Sequence, residues 1–148
     1  MSEKWFYKRF GELSAEDLYE IMTLRQQVFV VEQQCAYIDC DGKDKESLHL
    51  GLYSGGTLIA YARIVNPGIS YDEVSIGRVV TAPSVRGTGL GILLMEKALQ
   101  KISEEYGDVP IKIGAQTYLK DFYSRFGFVA GSAYLEDGIP HTHMLRKP

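Results

Sequence analysis

A β-branched run, Val79-Val80-Thr81, passes through Ala82-Pro83-Ser84-Val85 into Arg86-Gly87-Thr88-Gly89-Leu90-Gly91 and then Ile92-Leu93-Leu94-Met95. This order of strand formers, alternate glycines and helix formers predicts a strand that turns through a glycine-rich loop directly into a helix. Glycines without Cβ let backbone N–H groups crowd around an anion, and a helix start adds about half a positive charge and unpaired donors. Such a loop suits a pyrophosphate. It is not a dinucleotide fingerprint, which needs Gly-x-Gly-x-x-Gly, nor a P-loop, which needs Gly-Lys-Ser/Thr at the helix start. A glycine-rich turn with no ligand is the competing reading.

The 148 residues suffice for a single domain, expected over 1–148, that buries a sizeable core. With 45% hydrophobic and 24% charged residues the composition is that of a globular chain, and no apolar run approaches the ~20 residues of a membrane span. The start, Met1-Ser2-Glu3-Lys4-Trp5, lacks the apolar core of a signal peptide, so a cytoplasmic protein is expected. A net charge of −3 argues against nucleic-acid binding, which depends on a basic face. The spacing of Cys35 and Cys40 is not that of a Cys-x-x-Cys redox pair or zinc knuckle, and both are read as reduced.

Along the chain, Trp5 to Phe10 reads as a strand, followed by a helix with Ser14 and Asp17 as a variant capping box. Leu18, Ile21, Met22, Val28 and Phe29 recur at helical spacing, and Arg25 falls in the same stripe. An arginine on an inward face must meet a carboxylate or face a cleft. Residues from Glu32 to Ser47 read as a polar, acidic loop. A hairpin joins the runs Leu48–Tyr53 and Leu58–Val65 through Ser54-Gly55-Gly56-Thr57. Then come a strand from Val74 to Thr81, the glycine loop, and a helix with Leu90, Leu94, Ala98 and Ile102 on one face, stopped by Gly107 and Pro110. Ile111 to Ala115 is a strand, and Leu119, Phe122, Tyr123 and Phe126 mark a short helix ended by Gly127. Phe128–Leu135 and His141–Arg146 form a final hairpin. The order β-α-loop-β-β-β-α-β-α-β-β predicts an α/β fold, a mixed sheet with helices on both faces.

Arg86-x-x-Gly89-x-Gly91, preceded by a strand and Pro83, resembles the acetyl-coenzyme A loop of the GCN5-related N-acetyltransferases (GNAT). Phe122-Tyr123-Ser124-Arg125-Phe126-Gly127-Phe128 resembles the second signature of that superfamily, a tyrosine four residues before Gly-Phe. Gln116 stands where many members carry asparagine. Further stations narrow the resemblance to the ElaA-like branch: Val28 to Gln33, Asp39 to Asp44, His49-Leu50, Ala62-Arg63-Ile64, Ile76 to Val80, Ala115 to Leu119, and Glu136 to His141. The resemblance implies the acyl-CoA N-acyltransferase fold, acetyl-coenzyme A as cofactor with coenzyme A as product, and an amine acceptor, a small molecule or a peptide. Members of the fold often form homodimers. By the same resemblance Val79, Val80 and Thr81 offer backbone groups to the pantetheine arm. Arg86, Gly87, Thr88, Gly89, Leu90, Gly91 and Ile92 surround the pyrophosphate, and Gln116 and Tyr123 contact the cofactor.

Acetyl transfer to an amine needs a neutral nucleophile and a proton for the leaving thiolate. The resemblance makes Tyr123 the general acid, its matching tyrosine lying beside the cofactor sulfur; a packing aromatic is the alternative. An alkylamine of pKa ~10.4 is about one part in 10³ neutral at pH 7, which leaves about 4–5 kcal/mol of barrier to deprotonation. Glu32, His49, Glu136 and His141 are the candidates for the base or for acceptor binding, with Arg25 beside them; His49 also reads as a core histidine. His141 and His143 share one strand face, but no third ligand is fixed by spacing and no metal is expected. The Asp39-Asp41-Asp44 loop lacks the glycine and glutamate of an EF-hand and is expected to be a solvated loop or a substrate-selecting rim. A non-catalytic acyl-coenzyme A sensor and a transferase of longer acyl groups remain as alternative functions.

Overall fold

Three consecutive aromatic residues on an N-terminal strand, Trp5, Phe6 and Tyr7, need a partner with room for their rings. In the computed structural model, which describes residues 2–148, β1 (Glu3–Arg9) pairs antiparallel with β2 (Ser47–Ser54), and Phe6 lies opposite Gly51. A Cβ at Gly51 would overlap the Phe6 ring, so the glycine makes the space that the ring fills. The expected hairpin leads from β2 into β3 (Thr57–Val65), and β3 pairs with β4 (Ser75–Thr81) to complete a four-stranded antiparallel sheet ordered β1-β2-β3-β4.

A second antiparallel sheet has the order β5-β7-β6, from β5 (Ile111–Gln116), β6 (Val129–Glu136) and β7 (Ile139–Arg146). The parallel crossover expected between β4 and β5 is present, but it is confined to their beginnings. One bridge joins Val74 to Ile111, and the Lys112 N–H donates to the Val74 carbonyl at 2.9 Å. Beyond it the two strands part. Among the described residues, each therefore keeps one edge without a strand partner.

Helices cover both faces of the first sheet. α1 (Ala15–Arg25) begins at the predicted capping box: Ser14 Oγ accepts from the Asp17 N–H at 2.9 Å, and the Ser14 N–H donates to Asp17 Oδ2 at 3.1 Å. It widens into a π-helical stretch, Gln26–Glu32, which turns Val28 inward and leaves Val31 exposed. Ile21, Leu24 and Val28 pack on Leu58, Tyr61 and Val80. On the opposite face α2 (Leu90–Tyr106) buries Leu94, Met95, Ala98 and Ile102 against both sheets, and Gly107 closes it at φ +79°. α3 (Lys120–Ser124) contributes Tyr123 to this same larger core. Because side chains alternate along β5, Ile111, Ile113 and Ala115 enter that core while Lys112, Gly114 and Gln116 face away from it.

Candidate active site

The divergence of β4 from β5 opens a cleft of about 630 Å³ whose walls include Gly77, Val79, Ala115, Gln116, Tyr123 and His141. A β-bulge re-aims β4 at this point: Gly77 pairs with Arg63 and Val80 with Tyr61, leaving an extra residue on β4. Arg78 at the bulge sits at φ +50°, an unusual conformation for a side-chain-bearing residue. Its guanidinium is held by Asp39, with Nε donating to Oδ1 at 2.7 Å. The unpaired edge of β4 carries Val79 along the cleft.

Where β4 ends, Gly87 and Gly89 adopt φ +79° and +83°, and Gly89 caps α2. Such backbone is accessible to glycine at little cost. The first helical bond runs from the Leu93 N–H to the Gly89 carbonyl at 3.2 Å, so Leu90, Gly91 and Ile92 present N–H groups with no acceptor inside the helix. Thr88 Oγ1 donates to the Val85 carbonyl and pins the loop. These donors suit a polyanion. Arg86, however, is engaged by Glu32 in a bidentate pair, Nη1 to Oε2 at 2.8 Å and Nη2 to Oε1 at 2.6 Å. The hydrogen bond to Arg86 holds the Glu32 carboxyl below its usual range.

Tyr123 is 8% exposed, lies on the α2 side of the cleft, and packs edge-on to Phe122 and Phe128. Burial, followed by the neighbouring Tyr118, pushes its phenol well above the ordinary range. A proton on that oxygen is retained at neutral pH, as a donor requires. Gln116 faces the cleft from β5, its amide donating to Gln33 Oε1 at 3.2 Å.

The residues expected to meet an acceptor separate into two groups. His141 lines the cleft with Glu136 beside it, His141 Nε2 lying 3.4 Å from Glu136 Oε2. Arg25, His49 and Glu32 do not join them. Arg25 is fully buried, its Nε donating to Asp39 Oδ2 and its Nη1 to Asp44 Oδ1, both at 2.6 Å. His49 is also fully buried and uses both ring nitrogens: Nε2–H donates to the Asp44 carbonyl at 2.9 Å, and Nδ1 accepts from the Tyr61 hydroxyl at 2.6 Å. Burial holds this imidazole below its usual pKa and therefore neutral. The apolar stripe that contains Arg25 is a packing face, and the arginine is tolerated there because carboxylates come to it. Glu32 is occupied by Arg86.

Those carboxylates correct the reading of the Asp39-Asp41-Asp44 loop as solvated, whereas Asp41 and Lys43 do line the cleft, so the loop forms part of its rim. Asp39 and Asp44 are each 6% exposed. Three arginines from separate elements, Arg25, Arg63 and Arg78, meet three aspartates: Arg63 adds bonds to Asp41 at 2.8 and 2.9 Å and to Asp44 at 3.1 Å. Burial alone would raise Asp41 and Asp44, but Arg63 at the first and Arg25 then Arg63 at the second outweigh it and hold both carboxyls below their usual range. The network ties the loop to β3 and to the β4 bulge, and so shapes the cleft wall. Arginines within apolar stretches, matched by closely spaced aspartates, were the available signal. Tyr71 and Tyr134 also escaped notice. Both line the cleft, and their hydroxyls meet above Gly114, where a Cβ would collide with them.

Comparison with known proteins identifies the family and the fold. A UPF0039 protein of Synechocystis is 43% identical over 147 residues, covering 98% of this chain and 96% of the relative. Protein ElaA of Escherichia coli is 40% identical over 147 residues, covering 97% and 96%. The crystal structure of an acyl-CoA N-acyltransferase from Pseudomonas aeruginosa superposes with a TM-score of 0.93 at 43% identity, over 98% of this chain and 99% of that one. That of Escherichia coli ElaA gives 0.92 at 39%, over 99% and 100%. The acetyltransferase (GNAT) domain model matches residues 12–147. A match of that extent, with relatives at this identity along nearly the whole length, means that the chain belongs to the GNAT acetyltransferase family.

Proposed function

We propose that the protein transfers an acetyl group from acetyl-coenzyme A to a primary amine of a small molecule or peptide, directly within a ternary complex. The observation that carries this reading is the splayed cleft between β4 and β5, with a helix N-terminus at the end of one strand and the buried, protonated Tyr123 on its wall. Acetyl-coenzyme A, when bound, would supply the thioester. The β4 edge from Val79 to Thr81 would pair with the pantetheine amides, and the N–H groups from Gly87 to Ile92 would hold the pyrophosphate. Arg86 would exchange Glu32 for phosphate oxygen. Gln116 would contact the cofactor from β5. Tyr123 would protonate the departing sulfur.

The two substrates would meet from opposite faces. α2 and α3 pack on one face of β5, while Gln116 of β5, His141 of β7 and Tyr134 of β6 lie on the other, open to an acceptor. A release assay for free thiol, run with acetyl-coenzyme A against a broad panel of amines and peptides, tests the reading. Turnover that depends on the amine supports it. Tight coenzyme binding without turnover on any acceptor would instead favour a sensor, and faster release from longer acyl thioesters would revise the donor.

A further inference from the structure

We infer that His141 is the general base that takes the proton from the acceptor ammonium, with Glu136 positioned to hold the imidazolium so formed. The inference rests on the transferase reading above and begins with a tautomer. His141 Nδ1 lies 2.8 Å from the Ile139 carbonyl oxygen. A carbonyl can only accept, so Nδ1 carries the hydrogen. In the neutral ring Nε2 is then the unprotonated nitrogen, and the ring lines the cleft. A base needs this arrangement: one nitrogen fixed by the backbone, the other free to receive.

The other histidines and the acidic groups Asp39, Asp41, Asp44 and Glu32 are engaged elsewhere. His49 spends both nitrogens in the interior. His143 is stacked on Tyr134 at 4.2 Å between centroids, and its Nδ1 pairs with Ser132 Oγ. Asp39, Asp41 and Asp44 hold arginines, and Glu32 holds Arg86. Around His141 itself, β6 contributes Glu136 and the Tyr134 ring, β5 the neutral Gln116 opposite in register, and β7 His143 two residues on. The turn adds Asp137, whose carbonyl is contacted by Cys35 Sγ at 3.6 Å. The Glu136 carboxylate lies 3.4 Å from Nε2, within reach of the imidazolium once a proton arrives.

The balance closes simply. One proton leaves the acceptor nitrogen for His141 Nε2 and then passes to solvent. The freed lone pair forms the C–N bond as the C–S bond breaks, Tyr123 gives its proton to sulfur, and the surplus proton on the amide nitrogen restores the Tyr123 hydroxyl. The net products are an amide, a thiol and one released proton.

Imidazole ¹⁵N spectra of the full chain test this without turnover, the His141→Gln spectrum identifying the resonance. The expected result is the Nδ1–H tautomer of the neutral ring, kept in Glu136→Gln because the Ile139 carbonyl fixes it. An Nε2–H tautomer would overturn the proposal. Kinetics supply a second arm with two small nucleophiles, ethylamine and hydroxylamine, the latter already neutral at pH 7.5. His141→Gln should slow the ethylamine reaction at least about tenfold more than the hydroxylamine reaction, within the range of general-base effects. Equal slowing would assign His141 to acceptor placement alone. Absence of turnover by the wild-type protein with either nucleophile would count against the transferase reading, while the spectra still decide the tautomer.

Discussion

Glu32 on the π-helical stretch and Arg86 in the glycine loop form a bidentate ion pair, with both oxygens of one engaged by both terminal nitrogens of the other. The pair joins the π-helical stretch that follows α1 to the glycine loop, the proposed phosphate site. Both side chains are more than two-fifths exposed, 42% for Glu32 and 44% for Arg86, so the bond is screened by water and breaks at small cost. A phosphate that competes for Arg86 must displace a carboxylate. Glu32→Gln should therefore tighten coenzyme A binding, by about two- to fivefold at low salt, in keeping with the modest worth of exposed pairs. Arg86→Ala should weaken it and make the Glu32 substitution silent. Calorimetric titration of the two single variants and the double variant checks the cycle, and weaker binding by Glu32→Gln would show that the carboxylate helps the cofactor instead.

Gly91 offers a cleaner probe of the loop than Gly89. Gly89 sits at φ +83°, where any side chain strains the backbone, whereas a Cβ at Gly91 would meet only the Phe122 ring at an ordinary 3.6 Å. Gly91→Val should keep its fold yet place methyl groups beside the N–H donors at the start of α2. We expect coenzyme affinity to fall by about tenfold or more, the equivalent of one or two hydrogen bonds to a charged partner. Titration alongside a melting curve separates the effects, and near-wild-type affinity in a folded variant would remove the pyrophosphate from this loop.

Which parts of this architecture could be read in advance depended on the range of the interactions. The capping box at Ser14 and Asp17, the hairpin at Gly55-Gly56 and the glycine loop are local, and each appeared where residue order predicted it. The parting of β4 from β5 is not local. It accompanies a bulge at Arg78, whose side chain is held by Asp39, far away in the chain. Arg25 shows the same limit: helical spacing put it on a buried face but could not say whether a cleft or an aspartate awaited it. His49 was visible as an apolar-strand histidine, and its Tyr61 partner is supplied by strand register. The π-helical widening after Arg25, which carries Glu32 toward Arg86, left no mark in the pattern of apolar residues.

Tyr123→Phe removes one oxygen from a ring already fixed by Phe122 and Phe128. Because burial keeps the phenol protonated across the working range, the wild-type rate should show no alkaline loss from this group at moderate pH. The variant should lose about 10²-fold in kcat with little change in coenzyme affinity, the signature of a lost proton donor. Presteady-state measurement of the acyl-transfer step provides the check. An unchanged chemical rate would reduce Tyr123 to packing.

Arg25→Ala would strip the buried aspartates Asp39 and Asp44 of a partner. Breaking a buried pair costs about 3–5 kcal/mol. For a domain of this size that lowers Tm by roughly 6–20 °C. Amine KM in the folded fraction should stay near wild type, since the guanidinium does not reach the cleft. Calorimetry combined with amine kinetics distinguishes the cases, and a stable variant with a raised amine KM would return Arg25 to the acceptor site.

The same interior predicts a stepped response to acid. His49 is held neutral by burial, so its folded pKa lies below the unfolded value of about 6.5. Below that pH the unfolded chain binds a proton that the folded chain refuses, and stability falls, by at most about 1.4 kcal/mol per pH unit for one group. His143, also lowered by burial, adds to this upper step. Asp41 and Asp44 act lower down. Their folded pKa values lie beneath the unfolded ~3.9, so their contribution is complete above that pH and is lost as the pH falls through the folded values. Melting temperatures measured from pH 8 to pH 3 should thus decline gently from about pH 6.5 and steeply below about pH 4. In His49→Gln, whose amide can still bond to the Asp44 carbonyl, most of the upper decline should vanish while the lower one stays. A Tm that rises between pH 7 and pH 5 in the wild-type protein would mean that His49 is charged in the fold, and with it the neutral tautomer set by Tyr61 and Asp44 would fail.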